Sequence, residues 1–230
     1  MSSISDWMSG HSLLLLLSAG TLFSFLWLMQ FRGRLNMKWY AALPIAICHT
    51  LVGVICVKAF AFMETGFDSD SLGNMSLFGG VFFMPLLYLA GAKLTKRKAA
   101  DVCDAFTGCM ILMVMCARVN CILSGCCTGL RIPGTQMRFP TRETEVIYYV
   151  VMLLLLIPRV KKDERPGSIY PLYMATYGVF RFINEFFRTS SSETLFHLSH
   201  VWAAIAFAAG LSIYIEINAR NHQRKKVTKK

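Results

Sequence analysis

The chain has 230 residues, of which 55% are hydrophobic and 16% charged, and its mean hydropathy is +0.48. In soluble domains about a quarter of all residues are charged. The lower charged fraction of this chain therefore excludes a soluble globular domain and indicates an integral membrane protein. The net charge is +11, but Lys and Arg concentrate in short loops and in the C-terminal tail. That distribution is typical of membrane topology and argues against nucleic-acid binding.

Seven apolar segments predict an all-α polytopic bundle, a single transmembrane domain over residues 1–230. The predicted spans are residues 11–31, 40–63, 76–91, 99–123, 144–158, 168–187 and 201–217. Basic loops follow the first, third and fifth spans, at 32–38, 93–98 and 159–165. Because basic loops stay in the cytoplasm, we expect the N-terminus outside and residues 218–230 to form a basic cytoplasmic tail.

Polar groups are sparse in the first three predicted spans. His49, in the second, is either a proton relay or a hydrogen-bonding partner of a neighbouring helix. Gly79 and Gly80 open the third span and permit close approach by another helix or by a lipid head group.

Arg118 lies near the outer end of the fourth span, followed by small polar residues and Gly125. The planar guanidinium binds phosphate through two hydrogen bonds, so this pattern indicates an anion pocket. The alternative is an arginine that reaches back to the membrane interface. A disulfide from Cys121 to Cys126 or Cys127 is sterically possible on the oxidising side. Without nearby His or Asp, this cysteine spacing is a weak metal signal, so we expect neither metal nor cofactor.

The stretch 130–143 carries Arg131, Arg138 and Arg142 on the predicted external side. These arginines either reach a lipid phosphate or lie in the head-group layer. Glu145 follows at the outer mouth of the fifth span.

The sixth span holds three charged residues near one helix face. Arg181 and Glu185 are four residues apart, and Arg188 follows three later. Each charge inside a bilayer costs about 2.5–3.5 kcal/mol, so these groups must pair or face a polar ligand. They either set the depth of the helix or, since arginines outnumber the carboxylate, bind an anion.

Four segments resemble the prolipoprotein diacylglyceryl transferase family. Residues 177–188 (YGVFRFINEFFR) are similar to the family's Y-G-x-x-R-F-x-x-E-F-F-R. Residues 118–129 match R-x-G-N-F-x-N-G-E-x-x-G at Arg, Gly and Gly, residues 73–80 resemble G-x-M-S-x-H-G-G, and residues 140–148 resemble P-x-x-x-Y-E. Phe78 replaces the family's His, and Cys121 and Cys126 replace its Asn and Glu, so the resemblance is to a divergent, Cys-rich member.

The resemblance implies a multi-pass transferase of the bacterial plasma (inner) membrane. Its substrates would be phosphatidylglycerol, or a similar anionic phospholipid, and the signal-peptide segment of a prolipoprotein. It would move the diacylglyceryl group to the lipobox cysteine thiol, and we expect it to act as a monomer. The alternatives are a divergent lipid-group transferase with another acceptor and a non-catalytic phospholipid-binding membrane protein.

The resemblance also predicts residue roles. Arg118 and Arg181 are the expected catalytic residues, with Glu185 orienting a guanidinium. The expected substrate-binding residues are Arg142, Arg188, Gly79, Gly80, Gly125 and Tyr177. With Phe78 at the position of the family's His, the base is unassigned, and His200 and Glu145 are candidates. Cys126 is a candidate for a covalent intermediate.

Overall fold

The computed structural model describes the backbone of residues 2–68, 74–162, 165–188 and 196–228, and the side chains of those ranges from residue 11 to residue 223. Gly73, the first residue of one family-like segment, and the side chains at the end of the basic tail lie outside the described part.

Within these ranges the chain forms seven α-helices and no β-sheet. They are α1 (Ser2–Phe31), α2 (Trp39–Glu64), α3 (Phe78–Leu94), α4 (Ala99–Leu123), α5 (Thr141–Lys162), α6 (Ile169–Glu185) and α7 (Leu198–Thr228). The all-helical prediction is confirmed. The bounds of α4 are those predicted, whereas α5 is longer at both ends, and α7 extends through most of the predicted tail.

Four helical segments are long and apolar enough to cross a membrane. They are His11–Phe31, Trp39–Glu64, Ala99–Leu123 and Leu198–Gln223. The helix α3 is apolar but has only 17 residues, and the charged motif lies in α6. The described residues therefore form a helical membrane protein with four clear candidate spans.

Helix α4 lies at the centre of the bundle and contacts α1, α2, α3, α5 and α6. The indole of Trp27 on α1 packs over Gly108, and its Nε1 donates a hydrogen bond to the Ala105 carbonyl at 2.8 Å. Helices α6 and α7 approach closely, because a Cβ at Gly178 or Gly210 would lie 2.5 Å from backbone of the other helix. Close backbone approach at glycine is the usual way for membrane helices to gain packing contacts.

The connection between α4 and α5 folds back over the end of α6. The Leu130 amide donates to the Phe187 carbonyl at 2.8 Å, and the Phe139 amide donates to the Leu130 carbonyl at 2.9 Å. Gly129 is required here, since a Cβ would lie 2.2 Å from the Phe139 carbonyl oxygen. The C-terminal ends of α4 and α6 and the N-terminal end of α5 are thereby held together.

A buried ion cluster fixes the opposite end of α4. Arg34 contacts Asp101 and Asp104, each at 3.0 Å, and donates to the Val160 carbonyl at 3.0 Å. Asp104 also accepts the backbone amides of Gly167, at 2.7 Å, and of the first residue of α6, at 3.0 Å. This cluster ties α4 to the ends of α1 and α5 and to the start of α6.

Candidate active site

Charged side chains from three helices meet at the end of the bundle described above. Arg118 of α4 contacts the Glu145 carboxylate of α5 through its Nε. Arg181 of α6 donates from Nη1 to Glu145 Oε1 at 2.6 Å, and its Nη2 lies 2.8 Å from Glu185 Oε2. None of the four side chains is more than 8% exposed. The two arginines expected to be catalytic therefore share one carboxylate.

Glu145 is the centre of this arrangement. Besides the two guanidinium groups, it accepts a hydrogen bond from the Asn184 side-chain amide at 3.2 Å. The same amide donates to the Thr141 carbonyl at 3.2 Å, which fixes its orientation. With each of its oxygens in contact with a guanidinium, Glu145 acts in this structure as the shared counter-ion of Arg118 and Arg181.

Arg188 completes what we call the arginine network: Arg118, Glu145, Arg181, Glu185 and Arg188. Its Nη1 lies 3.7 Å from Glu185 Oε2. Three guanidinium groups and two carboxylates leave one positive charge in excess within these contacts. The half-buried Glu64 at the end of α2 also interacts electrostatically with Arg181 and Glu185. Glu64 had no expected role, because in the sequence it begins a polar external loop.

A family model described as prolipoprotein diacylglyceryl transferase matches residues 14–216. The chain belongs to the prolipoprotein diacylglyceryl transferase family. It is similar to a phosphatidylglycerol–prolipoprotein diacylglyceryl transferase of Geobacter sulfurreducens, with 26% identity over an alignment of 207 residues. The match covers 82% of this chain and 73% of the relative. A relative with the same name from Dehalococcoides mccartyi is 21% identical over an alignment of 217 residues, which covers 84% of this chain and 83% of the relative. One from Mannheimia succiniciproducens is 28% identical over an alignment of 132 residues, which covers 53% of this chain and 49% of the relative. The resemblance to this family is confirmed.

The main departure from the prolipoprotein diacylglyceryl transferase pattern lies directly against the arginine network. The ring centroid of Phe78 is 5.9 Å from the guanidinium carbon of Arg181 and 5.9 Å from the centroid of the Tyr177 ring. A phenyl ring attracts a guanidinium through its π face but exchanges no proton. The position that His occupies in the family therefore lies at the site, but in this chain it is occupied by Phe78, which cannot act as a base.

Two buried tyrosines, Tyr149 and Tyr177, lie beside the network, and a third, Tyr173, stacks on Tyr177. Tyr149, Tyr173 and Tyr177 are at most 1% exposed, and their hydroxyl groups have no hydrogen-bond partner among the described residues. Leaving a buried hydroxyl without a partner costs about 1–3 kcal/mol. These hydroxyls are therefore available to donate hydrogen bonds to the oxygens of a bound group.

Of the other expected substrate-binding residues, Gly79, Gly125 and Arg142 have structural roles, whereas Gly80 has open space beside it. A Cβ at Gly79 would lie 2.1 Å from the Cys56 carbonyl oxygen, so this glycine packs α3 against α2. A Cβ at Gly80 would have no heavy atom within 4 Å. Gly125, with a φ of +70°, forms the turn after α4. Arg142 donates to the carbonyls of Cys121, at 3.2 Å, and of Cys126, at 3.3 Å, and so holds this turn instead of extending the network.

His200, a candidate base, is buried among aromatic rings. Its ring centroid lies 4.5 Å from that of Phe186, and its Nδ1 accepts the His197 amide at 3.1 Å. Because Nδ1 accepts this hydrogen bond, the neutral ring carries its proton on Nε2, which then donates and does not accept a proton.

Three cysteines at and just after the end of α4 come together outside the network. The Sγ atoms of Cys121, Cys126 and Cys127 all lie within 4.8 Å of one another, and the three residues are free thiols. The hydrogen bond from the Cys121 thiol, together with the charges of Arg188 and Arg118, lowers the pKa of Cys127. The group offers three ligand atoms for a metal ion, which the spacing in sequence only weakly indicated.

Proposed function

We propose that the chain transfers the diacylglyceryl group of phosphatidylglycerol to the thiol of a lipobox cysteine in a prolipoprotein. The observation that carries this proposal is the arginine network: a buried group with more guanidinium than carboxylate, in a member of this transferase family. Within its direct contacts the network has more guanidinium than carboxylate, and the further carboxylate, Glu64, is only half-buried and interacts with Arg181 electrostatically. An anionic phospholipid can therefore bind the guanidinium in excess.

The proposed reaction is a substitution at a saturated carbon. The acceptor thiol loses its proton to solvent, its sulfur forms a bond to the glycerol carbon that bears the phosphate ester, and the C–O bond to the phosphate breaks. The electron pair stays on that oxygen, and glycerol phosphate leaves with one more negative charge than it had in the lipid. Guanidinium groups directed at the phosphate would stabilise this transition state more than the ground state.

In this mechanism Arg118 and Arg181 hold the leaving phosphate, and Glu145 and Glu185 orient them. Arg188 would contribute at the edge of the network. Tyr177, whose buried hydroxyl has no partner among the described residues, would donate to a phosphate oxygen. Glu145 is unsuited to be the base, because its oxygens contact Arg118 and Arg181.

The proposal includes a topology. We propose that all seven helices cross the bacterial plasma membrane, with the N-terminus outside, the C-terminus in the cytoplasm and the arginine network in the outer leaflet. This orientation follows from the basic loops after α1, α3 and α5. We further propose that the protein acts as a monomer in the membrane.

The proposal is tested with phosphatidylglycerol vesicles, a lipobox peptide and the purified full chain in detergent. Wild type should increase the mass of the peptide by one diacylglyceryl group, on its cysteine. Arg181→Ala and Glu185→Ala should abolish this, whereas Arg220→Ala, which removes an exposed arginine of α7, should not. Binding of phosphatidylglycerol with no transfer to any peptide would contradict the proposal and favour a lipid-binding protein.

Phe78 favours a second candidate, a transferase of the same lipid group with another acceptor. Without the family's His, the acceptor must be activated differently or be more nucleophilic than a neutral thiol. Peptides with Ser or Lys in place of the lipobox cysteine distinguish the two. Mass gain on one of these peptides, with none on the cysteine peptide, would support the second candidate.

A further inference from the structure

The chain between α4 and α5 places three sulfurs close together, and we call residues 121–127 the cysteine loop. Cys121 is in the last turn of α4, and the chain then turns through Gly125, with φ +70°, and Cys127, with φ +55°. A residue other than glycine with positive φ is uncommon, and such conformations concentrate at functional sites. The three Sγ atoms lie within 4.8 Å of one another as a result.

Helix α5 holds the backbone of the cysteine loop. Arg142 Nη1 lies 3.2 Å from the Cys121 carbonyl and 3.3 Å from that of Cys126, and Thr141 Oγ1 donates to the Cys127 carbonyl at 3.4 Å. These bonds engage carbonyl oxygens and leave the sulfurs available. The hydroxyl of Ser124 lies 3.3 Å from Cys126 Sγ, a contact compatible with a sulfur that accepts a hydrogen bond.

Three thiolates in this arrangement match the ligand preference of a thiophilic cation such as Zn²⁺. Zn–S bonds of about 2.3 Å in a tetrahedron place the sulfurs about 3.8 Å apart. The observed group therefore needs only a small contraction to bind the ion. Three protein ligands leave a fourth position open, as in catalytic zinc sites.

The electrostatic surroundings suit such a centre. Three thiolates and one Zn²⁺ have a net charge of −1. Arg142 contacts the loop, and Arg188 and Arg118 interact electrostatically with Cys127. These positive charges would stabilise the anionic centre, in the way that charged groups around a metal site tune it.

The cysteine loop is also connected to the arginine network. Thr141 binds the Cys127 carbonyl through its hydroxyl and accepts the Asn184 amide through its own carbonyl, at 3.2 Å. The same amide donates to Glu145 at 3.2 Å. A ligand at the metal would therefore lie beside the site proposed for the phosphate.

We propose that Cys121, Cys126 and Cys127 bind one Zn²⁺ ion, and that its open position takes the acceptor thiol. The second half of this inference rests on the proposed function. A thiol that coordinates Zn²⁺ is deprotonated, and its proton passes to solvent. The zinc-bound sulfur then forms the S–C bond, the C–O bond of the lipid breaks with its electron pair on glycerol phosphate, and the neutral thioether leaves the metal. Zinc thus supplies the activation that Phe78 cannot.

Metal binding is tested on the reduced, metal-free full chain with Co²⁺ as a spectroscopic probe and Zn²⁺ as competitor. Wild type should bind one Co²⁺ per chain with thiolate-to-cobalt charge-transfer absorption, and one equivalent of Zn²⁺ should remove the signal. Cys121→Ser and Cys127→Ser should each weaken binding by at least about 100-fold, the upper end of the loss seen when a hydrogen-bond partner of a ligand is removed. Cys48→Ser, at an exposed cysteine on α2, is the matched control. The proposal would be overturned if wild type lacked the charge-transfer band, or if the band persisted in both Cys121→Ser and Cys127→Ser.

A second arm tests the open position. The lipobox peptide should increase the thiolate-to-cobalt absorption, and a Cys→Ser peptide should not. Arg181→Ala should keep the metal and this response but lose transfer. An unchanged spectrum, or equal transfer rates with and without metal, would overturn thiol activation while leaving the proposed function intact. A bound metal and peptide with no transfer would refute the proposed function but not the metal site.

Discussion

Two buried ion clusters lie at opposite ends of α4, and their compositions differ. In the first, Arg34 is opposed by two carboxylates, Asp101 and Asp104, so the negative charges are in excess. The excess negative charge is stabilised because Asp104 accepts hydrogen bonds from two backbone amides at the start of α6, including that of Gly167. The buried polar atoms of this cluster all have partners within the described protein, as expected of a structural centre.

In the arginine network the balance is reversed, with three guanidinium groups and two carboxylates in contact. Tyr149 and Tyr177 next to it, and Tyr173 stacked on Tyr177, carry hydroxyl groups with no partner among the described residues. Both clusters are buried and ion-paired, so burial and pairing alone do not identify a functional site. Excess charge that no backbone group compensates, together with hydrogen-bonding groups that have no partner among the described residues, does indicate function, because such groups are costly unless a ligand binds them.

The largest effect is expected from Glu145→Gln. It leaves Arg118 and Arg181 without their shared counter-ion, and breaking a buried pair costs about 3–5 kcal/mol of folding stability. Thermal unfolding in detergent should show a large decrease in Tm, and transfer should be abolished. The control is Glu216→Gln, which removes an exposed carboxylate on α7; equal Tm values for the two variants would contradict the central role of Glu145.

Arg181→Lys should fold but lose activity. A lysine supplies a point charge and cannot contact Glu145 and Glu185 at once as the planar guanidinium does. By analogy with the loss of one transition-state donor, we expect the transfer rate to fall by about 10²–10³-fold. An Arg181→Lys variant with the wild-type rate would rule out the proposed phosphate contact.

Asp104→Asn should produce the opposite pattern at the other end of α4. It removes one of the two charges opposite Arg34, leaving Asp101, and weakens the bonds to the start of α6, so we expect a loss of stability of about 1–3 kcal/mol. The transfer rate of the folded fraction should be unchanged. A rate that falls as much as in Arg181→Lys would show that the two ends are not functionally distinct.

The smallest effect is expected from Tyr177→Phe. Removing a hydroxyl that has no partner among the described residues leaves the Tm unchanged or slightly higher. If that hydroxyl donates to a phosphate oxygen, affinity for phosphatidylglycerol should fall by roughly tenfold, as expected from the loss of one charge-assisted hydrogen bond. Tyr214→Phe, on α7, is the control for lipid-binding measurements.

The helices were largely predictable from sequence because long apolar runs between charged residues favour one answer in a membrane. The bounds of α4, 99–123, are an example. The Arg181–Glu185 pair was predictable for the same reason, since residues four apart on a helix are neighbours. These predictions depend only on local spacing.

The partners of these residues depended on tertiary structure. Glu145 is 36 positions before Arg181, and no periodicity connects them; the contact exists because α5 and α6 pack around the end of α4. From the sequence, Gly79 could face either a lipid or a helix. In the folded protein it packs against the backbone of α2. The cysteines form a three-sulfur group only because the chain takes left-handed conformations at Gly125 and Cys127 after α4 ends.

By itself, then, the sequence determined the helices, the family and the arginine-rich face of α6, because hydrophobic length and helical spacing are local properties. The tertiary structure decided which charges meet, which hydroxyls have no partner within the described ranges and where the three thiols lie. These depend on distances between segments far apart in the chain, which only the packing of the bundle sets.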